Sequence, residues 1–137
     1  MKSTKIKLTE NHKRSLTSAL TIIEQMLFDL EISLTCQQKG CCYEVEKDLS
    51  DEIIQKNMEV INDARKSLCL LATKYDAGKF KQSLRKIINA KRTRIWEVLM
   101  DMKPKKQKGF GEFPPELANE FNHDIEFLLS VTEKISF

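Results

Sequence analysis

Glycine and proline are scarce in this chain, at four and three of 137 residues. That is too little turn chemistry for a fold of many short strands. No apolar run approaches the ~20 residues needed to cross a bilayer as a helix. The opening segment MKSTKIKLTENHKR is polar and lacks the apolar centre of a secretion signal. A cytoplasmic protein is therefore expected, one in which Cys36, Cys41, Cys42 and Cys69 stay reduced. Histidine is limited to His12 and His123, and no residue pattern marks a nucleophile or a poised acid and base. The sequence reads as a non-enzyme with no cofactor.

What the chain does contain is apolar residues at helical spacing. Leu16, Leu20, Ile23, Leu27, Leu30 and Leu34 step by four and three, the seam of a helix packed on other helices. Three further stripes follow: Ile54, Met58, Ile61, Leu68 and Ala72; then Phe80, Leu84, Ile87, Ile95, Val98 and Met102; then Leu117, Phe121, Ile125, Leu128, Thr132 and Ile135.

Punctuation fits these stripes. Thr9 and Ser50 suit N-caps, and Asp51 and Glu52 follow Ser50 where the helix dipole favours negative charge. Gly78 suits a left-handed C-cap, Pro104 stops the third helix and Pro114-Pro115 opens the fourth. The expectation is an all-α, single-domain four-helix bundle over 1–137, with helices at about 9–34, 50–76, 79–103 and 115–136. A turn of about three residues between the second and third helices favours up-down-up-down topology with coiled-coil packing.

The net charge of +3 hides a strong asymmetry. Residues 79–108 carry eleven Lys and Arg against Glu97 and Asp101, a local net of +9. Residues 15–78 and 109–137 are each acidic by five charges. Such a distribution draws an anionic partner or is neutralised within the fold. Lys81, Arg85 and Arg92 are expected on one outer face of the third helix, with Lys103, Lys105, Lys106 and Lys108 at its C-terminal end. Phe110 and Phe113 lie beside that cluster and could stack on bases. No recognition motif accompanies the charge. Lysines beyond a helix C-terminus also complement its dipole, and the two phenylalanines could close the end of a core.

Two cations fall within apolar stripes, Arg65 between Ile61 and Leu68 and Lys91 between Ile87 and Ile95. Burial of either without a partner is costly. In the up-down arrangement they share a height with Asp124 and Glu24, giving a polar layer that sets register or a pocket for a small anion.

The C-x4-C-C spacing of Cys36, Cys41 and Cys42 offers three thiolates where zinc takes four ligands, and it matches no standard pattern. Cys69 lies 19 residues into the second helix, about 28 Å away at 1.5 Å per residue, and is read as a core residue. Glu120-x-x-His123 has half the form of a bundle di-iron site, but on the helical wheel both residues fall away from the stripe, toward water. His12 continues the first stripe and receives no role.

The functional expectation is a small helical interaction or regulatory module. Its partner would be another protein or a second copy, met through the end that carries the cysteine loop and the Lys105–Phe113 loop. Nucleic-acid binding through 79–103 and 105–113, and anion binding at Arg65 and Lys91, are the alternatives.

Overall fold

The computed structural model describes residues 7–136. It is all-α, with four helices: α1 (Glu10–Thr35), α2 (Asp51–Lys74), α3 (Leu84–Asp101) and α4 (Pro115–Thr132). Among the described residues no helix is long and apolar enough to cross a membrane. The chain divides into two compact units between Phe80 and Lys81.

In the first unit α1 packs against α2. Capping is as the sequence predicts: Thr9 accepts from the His12 N–H and Ser50 from the Ile53 N–H. These contacts satisfy amides that a helix leaves open at its start. His12 itself is exposed, its Nδ1 lying 2.6 Å from Thr9 Oγ1.

The far end of α2 departs from expectation. The left-handed residue is Asp76, at φ 53°, and not Gly78. The Ala77 N–H reaches back to the Ala72 carbonyl and the Asp76 N–H to that of Thr73, the paired closure of a Schellman end. Lys13 Nζ lies 3.4 Å from the Asp76 carboxylate, and the Gly78 N–H donates to Thr17 Oγ1 at 3.2 Å.

The seam between α1 and α2 is rotated from the stripe of leucines. Leu16, Leu20, Leu27 and Leu34 are half-buried, but Ile23 and Leu30 stand exposed while Glu24 and Glu31 turn in. On α2, Ile61 is buried, flanked along the helix by half-buried Ile54, Met58, Leu68 and Ala72, with Arg65 in the middle of that stripe. Cys69, expected in a core, is exposed because it falls outside this seam.

In the second unit α3 packs against α4, and Leu99, Ile125 and Leu129 form the buried core, joined by Met100 and Phe121. The third helix begins at Leu84, five residues later than the sequence suggests. Ser83 accepts from the Lys86 N–H and fixes the start there, so Phe80 lies outside the helix and is exposed. Residues 75–83 thus form a longer connection than the three-residue turn expected.

The α3 seam also differs by a small rotation. Leu99 is buried, whereas Leu84, Val98 and Met102 of the anticipated stripe are exposed. On α4, Leu129 is buried in place of its neighbour Leu128, and the helix ends at Thr132, before Ile135. Pro115 occupies the first turn of α4, as its fixed φ favours.

Candidate functional site

Between α3 and α4 the chain forms two short 3-10 turns, Pro104–Lys106 and Lys108–Phe110. Pro104 cannot continue α3, so the backbone tightens into i to i+3 closure. The Lys106 N–H donates to the Lys103 carbonyl at 2.8 Å, and the Phe110 N–H to that of Gln107 at 2.9 Å. The Gln107 side-chain amide donates back to the Met102 carbonyl, covering an acceptor at the end of α3. Gly111 leaves the second turn at φ 103°, a conformation that glycine tolerates and a β-carbon strains.

Both ends of this segment are fastened to α4. On the incoming side Lys103 Nζ lies 2.6 Å from Glu126 Oε1, and the lysine side chain is only 14% exposed. That ammonium holds the Glu126 carboxyl below the ordinary glutamate range, mainly through the hydrogen bond and then through charge. On the outgoing side Phe113 packs on Phe121, ring centres 4.9 Å apart and tilted by 38°.

Between these fastenings Phe110 is 93% exposed. Lys105, Lys106 and Lys108 on the same turn are exposed and form no ion pair within the described chain. The structure therefore separates two aromatics that the sequence presents alike: Phe113 is a packing residue and Phe110 a displayed one. An aromatic ring in water on the same turn as three exposed lysines has the chemistry to meet an apolar group with negative neighbours.

The rest of the expected basic face is broken up. Lys81 precedes α3 and is exposed, as is Arg85. Arg92 is half-buried and its guanidinium donates to the Ile135 carbonyl at 2.9 Å. Lys103 is bound to Glu126. Arg92 and Lys103 thus turn toward the α4 side rather than line an outer face.

The proposed polar layer resolves differently. Arg65 bonds Glu31, which the sequence reading missed, and its guanidinium carbon lies 4.8 Å from the centre of the Phe28 ring. The pair is partly buried, and Arg65 Nε is buried without a hydrogen bond. Glu31 lies one heptad beyond Glu24, so the seam spacing itself was the available signal.

Lys91 and Asp124, expected to face inward, are both exposed in the second unit. The α3/α4 register pairs Arg92 with Ile135 and Lys103 with Glu126. It sets Lys91 and Asp124 ~20 Å apart along the helix axes at 1.5 Å per residue. The anion pocket is not assembled there, and Arg65 already carries a carboxylate.

In the first unit, residues 36–50 cross from α1 to α2. An isolated antiparallel bridge joins Lys39 and Glu44, with the Gly40 N–H on the Tyr43 carbonyl and the Val45 N–H on the Gln38 carbonyl, both at 2.8 Å. Cys41 and Cys42 occupy the exposed tip of this small hairpin, and Cys36 is exposed at its base. Among the described residues no three His, Cys, Asp or Glu side chains come together as a metal-holding group.

At the base of the hairpin, between the end of α1 and the start of α2, lies a cavity of about 480 Å³. Its walls include Leu34, Val45, Leu49 and Ile54, and its lining carries Glu46, Asp48 and Asp51 against Lys47. Lys47 Nζ is 2.5 Å from Asp51 Oδ1 and holds that carboxyl below the usual aspartate range. Glu46 and Asp48 are left as exposed carboxylates with no ion pair in the described chain.

No protein-family model matches this chain, and neither a curated protein nor a solved structure is significantly similar to it.

Proposed function

We propose that the chain is a small helical interaction module of the cytoplasm, working by contact and not by catalysis, with the 103–113 turn as its contact element. One observation carries this reading. Phe110 is 93% exposed on a turn that is pinned at both ends and that also carries the exposed Lys105, Lys106 and Lys108. Exposing a phenylalanine contributes nothing to folding, whereas a ring presented on an ordered turn loses little freedom on binding. The complementary partner is a protein surface that offers an apolar recess edged with carboxylates. A reducing compartment suits the exposed Cys36, Cys41 and Cys42.

Nucleic-acid binding is the second reading, favoured by base stacking on Phe110 beside Lys105, Lys106 and Lys108. Against it, Arg92 and Lys103 are engaged on the α4 side, which leaves one aromatic and a short cluster where a strand needs a longer track.

The test is amide chemical-shift mapping with two probes, a glutamate-rich peptide carrying one tyrosine and an oligothymidylate. The module reading expects the peptide to move the resonances of Lys105–Gly111. Unmoved resonances at tenfold peptide excess overturn it. Shifts produced by the oligothymidylate alone, collapsing as salt rises, transfer the turn to the nucleic-acid reading.

A further inference from the structure

The cavity of the first unit and the turn of the second are complementary in the two properties that govern association, apolarity and charge sign. The turn offers an exposed aromatic ring and, within five residues of it, three exposed lysines that form no ion pair within the described chain. The cavity offers apolar walls at Leu34, Val45, Leu49 and Ile54, with the free carboxylates Glu46 and Asp48 in its lining. At about 480 Å³ it has room for a phenyl ring and its flanking backbone. We infer that the chain recognises a second copy of itself: Phe110 of one copy enters the cavity at the base of the 36–50 hairpin of another, and Lys105, Lys106 and Lys108 meet Glu46 and Asp48.

This rests on the reading of the turn as a protein-contact element and names its partner. Burying the ring removes apolar surface from water on both sides, and aromatics filling a pocket dominate interface energetics. Lysines at the margin steer the encounter and make it salt-sensitive. Two further hollows fit such a ring less well. The cavity of about 280 Å³ at Arg92, Thr93, Trp96, Thr132 and Glu133 and the hollow bounded by Glu10, Lys13, Arg14, Thr17, Ser18, Asp76 and Gly78 both lack Leu, Ile or Val in their walls.

Because the two contacting patches differ, each copy carries one donor turn and one acceptor cavity, and the contact is heterologous. Two variants can therefore complement each other. Phe110→Ser destroys the turn and leaves the cavity, while Asp48→Lys reverses the charge in the cavity and leaves the turn. Both residues are exposed, so circular dichroism should show each variant folded.

Sedimentation velocity of the full chain under reducing conditions, over a concentration series at low salt, is the experiment. The wild type should exceed its 15.9 kDa monomer mass as concentration rises. Either variant alone should weaken association by at least ~30-fold, the usual loss at a central aromatic or charged anchor. An equimolar mixture should form a one-to-one pair and stop there, since only one turn and one matching cavity remain intact. A wild type that stays monomeric throughout overturns the inference, as does a mixture in which no pair forms. Under a monomeric result, peptide-induced shifts at Lys105–Gly111 still uphold the module reading, so the two failures are distinguishable.

Discussion

The two helix pairs are built differently. The first unit uses long helices of 26 and 24 residues, yet among the described residues its seam holds one buried side chain, Ile61, with the Arg65–Glu31 pair set among half-buried residues. The second uses helices of 18 residues each and buries Leu99, Ile125 and Leu129 together, with the Lys103–Glu126 ion pair just beyond the end of α3. Length spreads many modest contacts in one case, and a short pair concentrates them in the other. A single truncation should accordingly hurt the second unit more.

The largest effect is expected from Leu129→Ala, which leaves a cavity in that small core and costs about 2–5 kcal/mol. Trp96, the single tryptophan, lies on α3 and makes its fluorescence a local reporter of this loss during urea unfolding. Ile61→Ala should fall at the low end of the same range and leave the Trp96 transition comparatively unmoved. Equal shifts of both transitions would dissolve the contrast between the units.

Next in size is the polar seam. Glu31→Ala strands a half-buried guanidinium and should cost about 1–2 kcal/mol, below the figure for deeply buried pairs because both side chains keep some water contact. Replacing both partners, Arg65→Met with Glu31→Leu, should restore or exceed the original stability. A double-mutant cycle by thermal denaturation reads the coupling.

Gly111→Ala should cost about 1 kcal/mol through its left-handed backbone, while Phe110→Ser on the same turn should stay within about 0.5 kcal/mol. A destabilised Phe110→Ser chain would mean that the ring packs, contrary to its exposure.

The smallest effect is a titration. The Glu126 carboxyl is held low in the folded chain by Lys103. Its contribution to stability is therefore present above the unfolded glutamate value and is lost as pH falls through the folded one. Lys103→Met should move the Glu126 carboxyl titration upward, as followed by carbon-13 NMR.

The elements were legible in the sequence because their signals are local. Thr9, Ser50, Pro104 and Pro115 each act through one or two neighbouring backbone groups, and each stands where its chemistry suggests. Helix faces were less legible where apolar residues adjoin. Val98-Leu99-Met100 and Leu128-Leu129 satisfy two rotations of the wheel equally, and only packing selects between them. The Arg65 partner was hidden by counting leucines, since Glu24 and Glu31 occupy seam positions that hydrophobicity assigns to Ile23 and Leu30. Phe110 and Phe113 carry the same composition signal, and what separates them is that Phe121 on α4 meets one and not the other.

The fastening of the turn has a mechanical consequence. Its incoming tie is an ion pair to Glu126 and its outgoing tie a ring contact with Phe121, and both anchor points are on α4. Beyond its covalent continuation of α3, the turn is thus a handle bolted twice to one beam. A load applied at Phe110 passes through two rivets of unlike character into the same helix, one loosened by salt and acid and the other indifferent to both.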